Sequence, residues 1–214
     1  MQDSFLVMYM YSCEDLFNLK QISRINDISL KLLSEYYKKY LMPFKFRYTF
    51  AENIDDVVLV FKEENFCHLL GVESIVRKSV SQKLLCNYRG IAGVRNIESN
   101  NITFSDLKKI NKKRFSNVKA KFVYFYLLPK LINQPLAVKY EKVNVHPPTK
   151  IECEILFYSK VNDDNAIIHL GIEKEEGNCY FPRTFFVEKV SNLKDDIYIS
   201  HQPILSIKNT TVLS

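Results

Sequence analysis

The spacing of apolar residues predicts helices in the first part of the chain. Between about residues 14 and 41, apolar residues recur at steps of three or four, at Leu30, Leu33, Tyr37 and Leu41. This spacing places them on one face of a helix. The polar pair Asn26-Asp27 predicts a division into two helices, and Pro43 is expected to close the second.

The same period predicts a long helix that begins near residue 103. Thr103 and Asp106 have the spacing of a capping box, which satisfies free N–H groups at a helix start. Apolar residues then follow at steps of three to five, at Leu107, Ile110, Phe115, Val118, Phe122 and Phe125. Pro129 is expected to end the helix, because proline cannot donate the required backbone hydrogen bond.

Two other regions have the patterns of β-strands. Phe44–Phe61 is rich in aromatic and β-branched residues around a polar turn, which predicts a hairpin. After His146 the period changes to two, and short polar turns separate further apolar runs. These runs predict a three-stranded antiparallel meander over residues 151–158, 166–172 and 179–187. Residues 136–145 and 202–208 are candidate additional strands.

The order of these elements predicts an α+β fold in a single domain. Helices come first and a sheet follows. We therefore expect a helical and mixed part at about 1–132 and an antiparallel sheet at about 136–208. The N-terminal helices and the long basic helix are expected to pack on that sheet. With 47% apolar residues, the chain of 214 residues can bury a substantial core.

Positive charge is concentrated in the middle of the chain. Residues 67–130 contain 13 Lys and Arg against three Asp and Glu, a net charge of +10, whereas the whole chain carries +6. Residues 105–121 alone contain seven Lys and Arg and one acid, Asp106. An ordinary solvated helix face is one explanation. Because so many like charges repel one another, a polyanionic partner is favoured.

The expected polyanion is RNA, and the candidate binding residues lie in this basic segment. They are Lys78, Lys108, Lys109, Lys112, Lys113 and Arg114.

The five cysteines are widely separated and never spaced as C-x-x-C, which indicates reduced thiols in a cytoplasmic protein. The histidines lack the spacing of metal ligands, so we expect no metal and no cofactor. We expect no membrane span, because no apolar run is long enough.

A histidine opens the basic segment within an apolar context. His68 lies in Phe66-Cys67-His68-Leu69-Leu70-Gly71, expected as a short helix or turn that ends at the glycine. A histidine in such a context is either a buried structural residue or a proton-transfer group shielded from bulk water. Both alternatives remain open on these residues alone.

A second patch, Tyr180–Phe186, contains Arg183 as its one basic residue, with Thr184 beside it. An arginine presents a planar pair of donors to a phosphate. In a regular strand, however, Arg183 and Thr184 point to opposite faces, and Tyr180, Pro182 and Thr184 share one. Both Arg183 and Thr184 serve one site only if Pro182 marks a bulge or a strand start. An edge strand with a solvated arginine is the alternative.

These residue types suit the cleavage of RNA. RNA supplies its own nucleophile, the 2′-hydroxyl, and cleavage needs a base, an acid, and donors around the phosphate. His68 is the candidate base or acid, Arg183 stabilises charge, and Thr184 and Tyr180 are candidate donors. His169 lies on a predicted strand and is a candidate partner acid or base; a structural histidine that faces the helices is the alternative.

The two patches resemble the signatures of phage- and mobile-element-associated nucleases of the barnase–EndoU–colicin–RelE superfamily. The first patch is similar to F-x-H-L-L-G, and Pro182-Arg183-Thr184-Phe185-Phe186 is similar to P-x-S/T-F-F. The resemblance implies a metal-independent ribonuclease, often a toxin or phage-conflict effector. It puts His68 in the catalytic group and makes Arg183 and Thr184 phosphate contacts.

Two other functions remain open at this stage. One is a non-catalytic nucleic-acid-binding module that uses the basic helix at 105–121. The other is a protein-interaction subunit whose basic face meets an acidic partner, such as an antitoxin or immunity protein. The second can coexist with a nuclease, because a toxic nuclease must be restrained in its own cell.

Overall fold

Two serine caps start the N-terminal helices. Ser12 begins α1 (Cys13–Phe17), and Ser29 begins α2 (Leu30–Tyr40); each side chain accepts a backbone hydrogen bond from the first turn. Between them lies one short 3-10 turn, Ile25–Asp27, so the predicted division is confirmed. The computed structural model describes residues 11–52, 54–190 and 196–213, and the first ten residues of the predicted helical part lie outside it.

Short helices fill the first half of the basic segment, from the His68 patch onward. They are α3 (Asn65–Leu70), α4 (Val72–Val76), α5 (Gln82–Leu85) and α6 (Gly90–Glu98). The predicted helix that ends at Gly71 is therefore confirmed as α3. The three helices after it were not predicted, because α4 and α5 have only five and four residues and because Gly90 and Gly93 in α6 are typical of turns.

The long basic helix predicted from residue 103 is broken into two. The Thr103 capping box begins α7 (Phe104–Ile110) as expected, but Asn111 leaves helical geometry and caps α8 (Lys112–Tyr124) with its side chain. A continuous helix would place lysines at i and i+4 on one face, where like charges destabilise it. Asparagine also favours caps over helix interiors, because its side chain competes for backbone hydrogen bonds.

Pro129 starts a helix instead of ending one. After α8 a 3-10 turn, Phe125–Leu127, leads into α9 (Leu128–Asn133), where the proline occupies the first turn. At that position a backbone N–H would have no partner within the helix, so the N–H that proline lacks costs no hydrogen bond. The prediction that Pro129 ends the basic helix was therefore wrong, because a proline is tolerated in a first turn.

Within the described part of the chain, one mixed sheet of eight strands forms the other half of the fold. Its strands are β1 (Lys45–Phe50), β2 (Val57–Val60), β3 (Leu136–Lys139), β4 (Ile155–Val161), β5 (Ala166–Glu176), β6 (Cys179–Lys189), β7 (Ile204–Leu205) and β8 (Ile207–Leu213). Their order in the sheet is β7-β3-β4-β5-β6-β2-β1-β8. The predicted hairpin and meander are confirmed, although β4 starts at Ile155 and not at residue 151.

The sheet is neither purely antiparallel nor confined to the C-terminal part. The hairpin of β1 and β2 joins it through a parallel pairing of β2 with β6, in which Leu59 lies opposite Tyr180. Parallel pairing requires a long crossover connection. The chain between β2 and β6 supplies it and carries α3 to α9, so helices lie between the two parallel strands in sequence.

The last two strands bring the edges of the sheet together. β7 pairs with β3 and β8 pairs with β1, although Ser206 alone separates β7 from β8. The Ser206 N–H donates to the Glu52 carboxylate and its carbonyl accepts from the Ala51 N–H, both at 2.9 Å. The sheet therefore curls back on itself, with Tyr48 and Phe157 from non-neighbouring strands 4.7 Å apart between ring centroids.

Aromatic side chains join the helices to the sheet. Phe66 of α3 contacts Phe125, and Phe125 contacts Phe185 of β6, each pair with ring centroids 5.8 Å apart. All three rings are buried. Such packing fixes α3 against β6, which is where the two sequence patches lie.

Among the helices of the described residues, none has both the length and the apolar character of a membrane span.

Candidate active site

His68 is the exposed residue of a helix that is otherwise held in the core. The neighbouring side chains of α3 are all buried, at Phe66, Cys67, Leu69 and Leu70. The imidazole of His68 projects from the opposite, solvent-facing side. The apolar context that surrounds His68 in sequence therefore anchors the helix and leaves the ring accessible.

Gly71 ends this helix in the left-handed conformation, with φ +73°. Its N–H donates to the carbonyl of His68 at 2.9 Å, as in common helix C-caps. A Cβ at this position would also lie 3.2 Å from Ser74 Oγ and 3.5 Å from a methyl group of Val118 in α8. Glycine is favoured here because residues with a side chain rarely adopt this backbone conformation, which reverses the chain after the histidine helix.

A β-bulge in β6 places Arg183 and Thr184 on one side. Thr184 lies opposite Gly171 of β5, and Pro182 lies opposite Ile172, so Arg183 is the extra, unpaired residue. The bulge interrupts the alternation that would separate the two side chains. At Gly171 a Cβ would lie 2.8 Å from Thr184 Cγ2, so glycine is required opposite the bulge.

One cleft of about 560 Å³ contains residues from both patches. His68, Arg183 and Thr184 line it, although more than a hundred positions separate the first from the other two. The remaining lining residues are Gly71, Glu73, Ser74, Arg77, Lys78, Arg114, Lys121, Lys150, Ile151 and Glu152. Six lysines and arginines face two glutamates, so the cleft attracts anions.

The surroundings of His68 favour its neutral form. Although the ring is accessible, the cleft walls remove part of its water; this partial desolvation lowers the pKa of His68 from 6.5, and the nearby charges of Lys121 and Arg183 lower it further. A hydrogen bond with the main chain of Arg183 and the charge of Glu73 act in the opposite direction but do not prevail. At neutral pH the imidazole is therefore unprotonated and can accept a proton.

Acidic side chains orient two of the three arginines that line the cleft. Arg183 Nε lies 3.2 Å from a carboxylate oxygen of Glu173, and Arg77 lies 2.8 Å from Glu73. The Arg183 pair is exposed on both sides and contributes little to stability. The consequence of both pairs is geometric, because each carboxylate occupies one edge of a guanidinium and leaves its other donors free.

A comparison with known protein families decides the identity of the chain. The model of the family described as phage-Barnase-EndoU-ColicinE5/D-RelE like nuclease4 matches residues 30–212. The chain belongs to this nuclease family. The match includes both patches and every residue that lines the cleft. No curated protein and no solved structure matches the nuclease.

Tyr180 does not reach the cleft of the nuclease. It was expected to share a face with Thr184, but the extra residue at Arg183 offsets the alternation of β6 by one. Tyr180 lines a separate cavity with Tyr140 and Glu154. Burial and the charge of Glu154 raise the pKa of the Tyr180 hydroxyl there.

His169 is enclosed on the sheet, away from the cleft. Its side chain is 0% exposed, and Nε2 lies 2.5 Å from Oδ2 of Asp196. The ring stacks on Phe186 of β6 with centroids 4.3 Å apart and also contacts Tyr198. His169 therefore faces the turn at 196–202 and not the helices, because Ile168 and Leu170 occupy the face that packs against the helices.

The candidate RNA-binding residues divide into two groups. Lys78 and Arg114 line the cleft, whereas the others are exposed outside it, at Lys108, Lys109, Lys112 and Lys113. The break at Asn111 separates the first two lysines from α8. At 3.6 residues per turn, Lys112 lies about 160° around α8 from Arg114.

Several residues of the cleft were missed at the sequence level. Arg114 and Lys121 are seven positions apart, a spacing that places both on one helix face and was a usable signal. Lys150 and Glu152 lie just before β4, and no local pattern connects them to His68.

Among the described residues, no group of three or more His, Cys, Asp or Glu could hold a metal ion.

Proposed function

We propose that the protein is a metal-independent endoribonuclease. The observation that carries this proposal is the convergence of His68, Arg183 and Thr184 on one strongly basic cleft. A base near neutrality, fixed cations and a hydroxyl donor are the groups that transfer of the phosphate to the 2′-hydroxyl requires. RNA is the favoured substrate because it supplies that nucleophile itself.

In this reaction neutral His68 removes the proton from the 2′-hydroxyl beside the scissile phosphate. The 2′ oxygen bonds to phosphorus, the bond to the 5′ oxygen breaks, and the departing 5′ oxygen takes a proton from a general acid, which leaves a 2′,3′-cyclic phosphate and a 5′-hydroxyl. Arg183 donates to the non-bridging oxygens as negative charge develops on them. Thr184 donates a further hydrogen bond to the phosphate.

The basic residues around the cleft bind the rest of the RNA. Lys78 and Arg114 line the same cleft as His68, and in this proposal they contact phosphates next to the scissile one. The exposed lysines of α7 and α8 attract more distant phosphates, at Lys108, Lys109, Lys112 and Lys113. Because each neutralised phosphate releases counterions, we expect the affinity for RNA to fall as salt is raised.

We further propose that the nuclease acts in the cytoplasm as a toxin or phage-conflict effector. A cleft with four more positive than negative side chains also fits an acidic antitoxin or immunity protein, which would cover His68 and inhibit cleavage. Induced expression of the wild type should arrest growth and degrade cellular RNA. Normal growth with intact RNA at high expression would contradict this role.

End-group analysis of digested RNA tests the reaction. We expect the purified protein to cut RNA in the presence of excess chelator and to leave 2′,3′-cyclic phosphate and 5′-hydroxyl ends. The matched control is a DNA strand of the same base sequence, which has no 2′-hydroxyl and should remain uncut. Cleavage that requires added metal and leaves 5′-phosphate ends would overturn the proposal, and so would equal cleavage of the control.

A further inference from the structure

The proposed reaction needs an acid for the departing 5′ oxygen, and one lysine of the cleft differs from its other cations. Lys121 lies on the face of α8 that also carries Arg114 and Val118, which are seven and three positions before it. Its stem lies beside Gly71, where a Cβ would be in ordinary van der Waals contact, 3.7 Å from Lys121 Cδ. The ammonium donates to the carbonyl of Leu69 at 3.4 Å.

Lys121 is partly buried, and its charge is not balanced by a described acid. Arg77 and Arg183 have carboxylate partners, at Glu73 and Glu173, whereas no salt bridge to Lys121 occurs within residues 11–52, 54–190 and 196–213. Lys78 and Lys150 keep their charges exposed to solvent. A shielded ammonium without a counter-charge is unfavourable. A phosphate in the cleft would supply the missing negative charge.

The chemistry of the lysine suits proton donation. An arginine does not release its proton in proteins, so Arg77, Arg114 and Arg183 can stabilise charge but cannot act as acids. Burial lowers the pKa of Lys121 to about 8, close to the range in which an acid works best at neutral pH. The carbonyl of Leu69, next to His68 in sequence, holds the ammonium beside the histidine helix.

We propose that Lys121 is the general acid that pairs with His68. This assignment depends on the proposed ribonuclease reaction. As His68 takes the proton of the 2′-hydroxyl and the new bond from oxygen to phosphorus forms, the electron pair of the breaking bond moves to the 5′ oxygen. The proton on Lys121 Nζ transfers to that oxygen, so no charge remains on the leaving group.

A substrate with a sulfur leaving group tests this assignment. A short RNA is made in two forms, with oxygen or with sulfur at the scissile 5′ position, and single-turnover rates are measured for both. A thiolate leaves without protonation, so it needs no acid. We expect Lys121→Met, which keeps the packed stem, to lose about 10²-fold on the oxygen substrate and almost nothing on the sulfur substrate.

Three further variants separate the possible roles of Lys121. Lys121→Arg keeps the positive charge but not the transferable proton, and it should behave like Lys121→Met. His68→Ala should lose activity on both substrates, because sulfur does not replace a base. Lys119→Met is the matched control; it alters an exposed lysine about 160° around the helix and should keep the wild-type ratio of the two rates.

The remaining outcomes distinguish the acid role of Lys121 from the ribonuclease reaction itself. Equal losses on both substrates for Lys121→Met, or full activity of Lys121→Arg on the oxygen substrate, would overturn the acid role while leaving the ribonuclease proposal intact. Failure of the wild type to cut either substrate would overturn the ribonuclease proposal and this assignment with it. Thermal unfolding of each variant confirms that the rates refer to folded protein.

Discussion

His68 and His169 occupy similar sequences but opposite environments. Each follows apolar residues and is followed by leucine and then a glycine, as His68-Leu69-Leu70-Gly71 and His169-Leu170-Gly171. His68 is exposed in a cleft with cations around it. His169 is fully enclosed between Phe186 and Asp196.

The element on which each histidine lies explains the difference. On α3 the helical period directs His68 away from its buried neighbours and toward solvent. On β5 the strand alternation places His169 on a face that the turn at 196–202 covers. Apolar neighbours in sequence therefore do not determine whether a histidine is functional. What matters is whether another segment covers the face of the helix or strand on which the histidine lies.

The largest effect we expect is the loss of cleavage in His68→Ala. Removal of a general base lowers the rate by about 10²–10⁴-fold. Because His68 is exposed, the free energy of unfolding should change little. Single-turnover cleavage and urea unfolding check the two quantities, with His201→Ala, an exposed histidine outside the cleft, as the control. A His68→Ala variant that cuts RNA at the wild-type rate would show that His68 is not the catalytic histidine.

Arg183→Ala should have the next largest effect on cleavage. Loss of a donor to the developing charge costs about 10²–10³-fold. Arg183→Lys should recover part of the rate, since a lysine restores the charge but not the planar pair of donors. Arg47→Ala, at an exposed arginine of β1, is the matched control for charge. Equal rates for Arg183→Ala and Arg47→Ala would mean that the guanidinium presented by the bulge has no catalytic role.

His169→Ala should lower stability and leave the chemistry intact. It creates a cavity beside Phe186 and leaves the buried carboxylate of Asp196 without its partner. Breaking a buried pair costs about 3–5 kcal/mol, which urea unfolding would detect. Cleavage per folded molecule should remain at the wild-type level. Wild-type stability with lost cleavage would reverse the roles assigned to the two histidines.

The pH dependence of cleavage should follow the shifted pKa values of the cleft. The lowered pKa of His68 keeps the base unprotonated until the pH falls below 6.5, so the rate should decline only under that value. Loss of the proton of Lys121, with a pKa of about 8, should reduce the rate above that pH. Each limb changes kcat/KM about tenfold per pH unit. An acid limb centred above pH 7 would contradict the environment described for His68.

The same contrast shows how far sequence reasoning reaches. The first patch predicted a short helix ending at Gly71, and the strand geometry of the second patch required a bulge if Arg183 and Thr184 were to share a site; both are present. These features depend on neighbouring residues. Local patterns therefore identified the residues that approach one another but not the cleft they form.

Long-range contacts account for what sequence reasoning missed. The curling of the sheet through Ser206 and the approach of Lys150 to His68 depend on tertiary packing, which no local period encodes. The break at Asn111 was visible as a capping residue, but the apolar period continued through it. Tyr180 was assigned to the site because the bulge at Arg183, which offsets the alternation of β6, could not be placed in advance. His169 was assigned to it because strand alternation alone cannot show which face another segment covers.

Magnetic resonance of the histidine rings during RNA binding tests the central claim most directly. A short RNA with a 2′-deoxynucleotide at the scissile position binds without being cut, and single-histidine variants assign the four ring signals. We expect saturating RNA to shift the ring signals of His68 strongly and to leave those of His169 unchanged. Binding that shifts His169 while His68 remains unperturbed would contradict the account.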